Sequence, residues 1–303
     1  MIVIAGTPSE PPVRLVREAA EAAGTPVLML DETAAESWHL ATWGDADGVH
    51  ATVHGPEGTV DLASATGIYV RLTAPRQHGR VIDALESARA AAAVGLLAAW
   101  ADVAEIRVAN RPASMASNLS KPYQAGLIRA HGFHVPHTLV SNDPDAVRTF
   151  WRQHGRVIFK STSGVRSIVH ELTPERAKTL DRVRHLPTQF QQLLEGTNVR
   201  VHVIGDEVFP VEITSDNIDY RYREGGEASG MTPTELPDEL RQRCLELSRA
   251  LDLPLAGIDL FRDQDGLWWC FEVNPSPAYS CFEEPTGLPM SAALARWLAG
   301  EAD

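Results

Sequence analysis

The chain is poor in cysteine, in basic residues and in long apolar runs, and each shortage narrows what it does. Its 303 residues hold only 3 Cys. Cys244, Cys270 and Cys281 are an odd number without close metal-ligand spacing, which argues against a disulfide framework or a thiolate zinc site. Cys270 falls in an apolar strand pattern and reads as a small buried hydrophobe. Lys and Arg total 27 against 40 Asp and Glu, a formal charge of −13. A nucleic-acid surface needs clustered cations, so nucleic acid is not an expected partner. The most apolar helical pattern, around residues 88–100, contains Arg89 and is shorter than a bilayer requires, so no membrane span is expected. The opening MIVIA turns at once through Gly6-Thr7-Pro8 without a basic flank, which gives no sign of a signal peptide. With the sparse cysteines, this leads us to expect a soluble protein of the reducing cytoplasm. The same opening lacks G-x-G-x-x-G, so a dinucleotide fingerprint is missing.

What is present is ordinary globular composition, 44% hydrophobic and 22% charged, in a chain long enough for two or three modules. Residues 1–109 alternate strand and helix patterns: strands at 2–5, 27–30, 49–53, 67–72 and 106–109, helices at 13–23 and 81–103. That alternation predicts an α/β unit with a parallel or mixed sheet. Asn110-Arg-Pro-Ala-Ser reads as a boundary. Residues 110–188 follow as a second unit and residues 189–303 as a third, each mixing strands and helices.

The densest chemistry lies near the end. Gly257-Ile-Asp-Leu-Phe and Trp268-Trp-Cys-Phe-Glu-Val-Asn-Pro-Ser-Pro flank Gln264-Asp265-Gly266, turn chemistry that predicts a hairpin. Glu272 and Asn274 are two apart, so a strand puts both on one face, and pairing brings Asp259 alongside. Two carboxylates and an amide oxygen form a hard, oxygen-only set that suits Mg²⁺ on nucleotide phosphates. Lys160 ends an apolar strand before Ser161-Thr-Ser-Gly-Val-Arg-Ser, a cation beside a small flexible loop, in outline a phosphate cradle. Lys121 sits in a helix's first turn, unfavourable for the helix dipole unless an anion is near. Arg200 alternates with Val199 and Val201 and faces away from their packed side; alone it reads as a surface Arg. His131, His134 and His137 are broken up by Gly132 and Pro136 and read as an imidazole-decorated turn rather than a metal cluster.

Taken in order, these motifs resemble the ATP-grasp superfamily, and within it the RimK-like carboxylate–amine ligases, with glutathione-synthetase-type and peptide-modifying relatives. The resemblance covers about residues 110–300. It rests on N-x-S-K-P with Lys121, the strand ending at Lys160 with its loop, Q-Q-L-L-x-G-x-N-x-R, G-I-D-L and E-V-N-P-S-P. It implies an N-terminal α/β domain followed by two α+β subdomains enclosing ATP. It implies phosphate contacts from Lys121 and Lys160, with Ser163 and Gly164 in a covering loop. Gln192, Leu193 and Leu194 would be the adenine hinge, and Asn198 would lie at the ribose. Asp259, Glu272 and Asn274 would hold two Mg²⁺ ions, with Mn²⁺ as an admissible substitute. Arg200, with Arg221 or Arg223, would stabilise the transferring phosphoryl group.

The implied reaction joins a carboxylate to an amine, of an amino acid or a peptide, through an acyl phosphate, with release of ADP and phosphate. A homodimer is a family expectation. Arg71, ending a strand, would either clamp a substrate carboxylate or form a structural ion pair. Three positions depart from the family pattern: Gln192 where an acid is common, Asn198 in place of Asp, and Ala278 in place of Gly. The rival readings are an ATP-grasp phosphotransferase, a non-catalytic ATP-binding regulatory protein, and a dehydrogenase, which the missing glycine fingerprint disfavours.

Overall fold

The computed structural model describes residues 1–46, 48–55, 58–72, 83–161, 169–214 and 230–301. The first unit contains β1 (Ile2–Gly6), α1 (Pro11–Ala22), β2 (Val27–Asp31), β3 (His39–Asp45), β4 (Gly48–Gly55), β5 (Gly58–Asp61), β6 (Gly67–Arg71), α2 (Ala84–Val103) and β7 (Arg107–Ala109). A parallel sheet runs in the order β2-β1-β6-β7, as βαβ alternation demands. Beside it β3, β4 and β5 form a small antiparallel sheet. Only β4 was expected there. β5 is four residues long and both it and β3 are largely exposed, so neither shows a clear apolar alternation.

The helix α2 corrects an expectation. At 20 residues it is, among the described residues, long and apolar enough by length and composition to cross a membrane. Its Leu97, Trp100 and Ala101 instead bury against Val3, Ala5, Ile68 and Val70, as a core helix of the first unit. An Asp83–Glu86 capping box fixes its start.

The middle of the chain supplies α3 (Pro112–Met115), α4 (Lys121–Ala130), β8 (Thr138–Ser141), α5 (Pro144–His154), β9 (Val157–Ser161), β10 (His170–Glu171), α6 (Pro174–Ala177) and β11 (Thr188–Gln192). An antiparallel sheet, β10-β9-β11-β8, packs on α5 through Val147, Val157, Leu172 and Phe190. The last third supplies β12 (Gly196–Ile204), β13 (Glu207–Thr214), β14 (Gly230–Pro233), α7 (Asp238–Ala250), β15 (Leu255–Asp263), β16 (Trp268–Asn274), α8 (Ser280–Thr286) and α9 (Met290–Ala299). Its sheet runs β14-β13-β12-β15-β16.

Two boundaries fall elsewhere than the sequence suggested. β11 pairs with β8 and β9, so the passage into the third unit is at residues 193–195 rather than at 188. Ile128 of α4 and the following Phe133 bury with Val199, Val201 and Leu240, so residues around α4 pack on the last sheet and not on the middle one. That placement carries Lys121 to the β15–β16 hairpin.

Candidate active site

The ladder of the last sheet sets the site. Asp259 on β15 lies opposite Glu272 on β16, and Gly257 opposite Asn274. On the other side, Arg200 of β12 lies opposite Asp259. Residues opposed across antiparallel strands share a face, so Arg200, Asp259 and Glu272 project together, with Asn274 two positions on. Asp259 is gripped from both sides. Arg200 Nη1 donates to its Oδ1 at 2.5 Å, and Asn274 Nδ2 donates to its Oδ2 at 3.1 Å.

Arg200 is 6% exposed, which corrects the surface reading taken from its alternation with valines. Both faces of β12 are covered here. The Phe282 ring lies 5.7 Å from the guanidinium carbon, and Arg200 Nε approaches His202 Nε2 at 3.4 Å. The bare Cα of Gly257 makes room, since a Cβ there would collide with the guanidinium.

The lysines converge on Glu272. Lys121, first residue of α4, donates from Nζ to Glu272 Oε2 at 2.9 Å and to Asn118 Oδ1 at 2.6 Å. Lys160 Nζ stands 3.9 Å from the same Glu272 oxygen. Burial pushes the Glu272 carboxyl up, but Lys121 and Lys160 outweigh it and hold the group at about 2. The carboxylate is therefore ionised at every physiological pH. It also relieves the charge conflict of a lysine at a helix N-terminus.

These groups line a cleft of about 720 Å³ between the middle and last sheets. Lys121, Lys160, Arg200, Asp259, Glu272 and Asn198 all face it, with Ile158, Leu260 and Phe271 as apolar walls. The hinge is less simple than expected. Gln189 and Gln191 of β11 line the cleft, whereas Gln192, Leu193 and Leu194 are not on its wall. The N–H groups of Gln192 and Leu193 donate to the His137 and Arg156 carbonyls, at 2.9 and 3.0 Å. Gln192 Oε1 is buried with no partner among the described residues.

Ser163, Gly164, Arg221 and Arg223 lie outside the described residues, as does Arg166. Arg71 is not on the cleft wall. It pairs with Glu10 at 2.8 Å and donates to Ser276 Oγ and the Pro277 carbonyl, the ion-pair alternative of the two readings. The histidines form no metal cluster. His131 Nδ1 contacts the Leu127 carbonyl, His134 lies by Trp269, and His137 stacks on His154 at 4.6 Å. Among the described residues no three His, Cys, Asp or Glu are grouped to hold a metal. The Asp259–Glu272 pair is instead joined by the Asn274 amide as its third oxygen donor. Two carboxylates and one amide oxygen fit a hard divalent cation that takes its remaining oxygens from phosphate and water.

Sequence reasoning missed Asn110, Gln124 and His202. For Gln124 a signal was available: it follows Lys121 by one helical turn and so shares its face.

Two α+β units closing on a cleft, with Lys160 on the wall of the middle sheet and Lys121 beside the carboxylate hairpin on the other, define an ATP-grasp protein. The chain belongs to the RimK-like ATP-grasp family, whose domain profile matches residues 120–298, more than half its length. It is 25% identical over 204 residues to the ribosomal protein bS6–L-glutamate ligase of Escherichia coli O81 (strain ED1a), covering 62% of this chain and 66% of that protein. The chain thus spans slightly less than two thirds of the length of the curated relatives it matches. The structure of the ATP-grasp ligase PsnB complexed with minimal precursor, Mg and ADP is 26% identical with a TM-score of 0.80, over 99% of this chain and 96% of that one. A Chryseobacterium gregarium RiPP-associated ATP-grasp ligase, in complex with ADP and a leader and core peptide, has a TM-score of 0.82 at 20% identity, over 100% and 97% of the two chains. At that identity the likeness speaks to the fold, which it extends through the first hundred residues.

Proposed function

We propose that this chain is an ADP-forming ligase that joins a carboxylate to an amine, at least one of them carried on a peptide or protein. The observation that carries the reading is the convergence of Lys121, Lys160 and Arg200 on the Asp259–Glu272 pair in one cleft. A carboxylate attacking the γ-phosphorus of ATP is anion meeting anion, so positive charge must be in place beforehand. The two ammonium groups supply it at the phosphates, oriented by an ionised Glu272. Arg200, aligned by Asp259, supplies it where the phosphoryl group transfers, and Arg221 or Arg223 would add to it. Mg²⁺, as one or two ions with Mn²⁺ as substitute, would be held by Asp259, Glu272 and the Asn274 amide oxygen and would neutralise phosphate charge as a Lewis acid.

Adenine would lie near Ile158 and Phe271, meeting the hinge of Gln192, Leu193 and Leu194. Asn198 would reach the ribose. Once formed, the acyl phosphate must be shielded from water until the amine arrives, a role we assign to the residues around Ser163 and Gly164. The peptide substrate is supported by PsnB, which is 26% identical and complexed with its precursor. The acidic net charge and sparse cysteine favour a cytoplasmic enzyme without nucleic-acid partners, and a homodimer is the assembly we propose.

The test is ADP release from ATP and Mg²⁺ with panels of carboxylate peptides and amines, followed by mass spectrometry. Release that requires both partners, with an amide product lighter than their sum by one water, supports the ligase. A phosphorylated product without an amide would make the chain a phosphotransferase. Nucleotide binding without ADP release for any pair would leave a regulatory ATP-binding protein.

A further inference from the structure

Behind the residues that face the cleft, Gln124, Asn110 and Arg71 hold residues 273–277, the stretch that carries Asn274 and follows Glu272. Gln124, 1% exposed, lies on α4 one turn after Lys121. Its Nε2 donates to the Val273 carbonyl at 2.8 Å, and its Oε1 accepts from the Val273 N–H at 3.1 Å. Val273 is the residue between the two proposed metal ligands. Among the described residues β16 is the last strand of its sheet, so the outward N–H and C=O of Val273 meet no neighbouring strand there. The amide fork of Gln124 supplies the donor and acceptor that a further strand would have offered.

Asn110, also 1% exposed, continues the clamp past Asn274. Its Nδ2 donates to the Leu255 carbonyl at 2.6 Å and to the Pro275 carbonyl, and its Oδ1 accepts from the Leu255 N–H at 3.0 Å. Arg71 holds Ser276 and Pro277 next along.

We infer that Gln124 is a positioning residue: through Val273 it fixes Glu272 and Asn274 relative to Lys121, so the phosphate lysine and the metal ligands move as one body. Asn110 and Arg71 extend the same restraint along the loop after Asn274. The inference rests on the Mg²⁺–nucleotide reading above. A buried amide that only filled space would not use both ends of its fork on one residue. Groups that orient metal ligands from behind typically change metal affinity by about 10–100-fold when removed.

The test is calorimetric titration of ADP with and without Mg²⁺ into the full chain as wild type, Gln124→Met and Ile128→Ala. Gln124→Met keeps side-chain length and removes both bonds. Ile128→Ala removes packing from the same helix, in the core cluster that Ile128 shares with Val273, and leaves both Gln124–Val273 hydrogen bonds in place. We expect Gln124→Met to weaken Mg²⁺-dependent ADP binding by about 10–100-fold and leave Mg²⁺-free binding near wild type. Ile128→Ala should lower the melting temperature and keep the wild-type Mg²⁺ dependence. A folded Gln124→Met with wild-type Mg²⁺ dependence overturns the inference while leaving the proposed function standing. If Gln124→Met does not fold, Gln124→Glu, which keeps the acceptor and loses the donor, carries the same comparison. A wild type whose ADP binding ignores Mg²⁺ overturns both readings together.

Discussion

Glu272 meets Lys121 directly, lies within reach of Lys160 and stands beside Asp259 across the hairpin. The arrangement was legible because it depends on short-range rules: a two-residue spacing on a strand, a hairpin turn, and the register that follows. The burial of Arg200 was not, because the ring that covers it is Phe282, far along the chain. His202 was passed over for the same reason. It is 0% exposed, and burial, reinforced by Arg200, holds its pKa well below the ordinary 6.5. The folded protein keeps His202 neutral, while the unfolded chain protonates near 6.5. Its contribution to stability is therefore full above about pH 6.5 and is lost as pH falls towards the folded value. Calorimetric melting temperatures should fall more steeply for wild type than for His202→Gln between pH 7 and pH 5. Parallel curves would mean that His202 titrates alike in the folded and unfolded chains, which contradicts a buried neutral imidazole.

At the scale of elements, the β12–β15–β16 ladder makes the site, and its tightest point is Gly257. A Cβ there would strike the Arg200 guanidinium and sit 2.8 Å from Pro277 Cβ. Arg200 can swing aside at small cost to the fold, but only by leaving Asp259. Gly257→Ala should lower kcat for ADP release by about tenfold or more, one transition-state contact of roughly 1.4 kcal/mol, and should also lower the melting temperature, because Pro277 cannot swing aside as Arg200 can. An unchanged kcat would mean that the Arg200–Asp259 contact is not used in the reaction. Most helices and strands were legible from periodicity, because amphipathic α1 and α5 and the apolar β1, β12 and β15 carry it plainly. β3 and β5 were not, since both are largely exposed and β5 is only four residues long. The membership of β11 was invisible for a different reason: a strand's apolar pattern says that it pairs, not which sheet it joins.

On the scale of the molecule, the first and last units share one core. Ile2, Ile4 and Val13 bury together with Ile204, Leu294 and Leu298. β6 packs so closely on α9 that a Cβ at Gly67 would come 2.7 Å from the Leu298 carbonyl oxygen. Tyr279, 0% exposed, donates to the Pro12 carbonyl across the same junction. Leu298→Ala should therefore destabilise the whole chain by about 2–5 kcal/mol, in one denaturant transition reported alike by probes in either unit. Two separated transitions would show that the first unit folds alone. Sequence reading divided the chain into three units at its loops and could not foresee that core, because a division made from local signals is blind to contacts between residues near 10 and near 290.

The central claim is a Mg²⁺–nucleotide site built on Glu272, and thermal stability tests it most directly. Wild type and Glu272→Ala would be melted with a non-hydrolysable ATP analogue, with and without Mg²⁺. A ligand at a hundred times its dissociation constant stabilises by about 2.7 kcal/mol, a readily measured shift. The account predicts a rise in wild type that grows with Mg²⁺, and a Mg²⁺-dependent part that disappears in Glu272→Ala. No rise in wild type at saturating analogue, or an equal Mg²⁺-dependent rise in the variant, would contradict it.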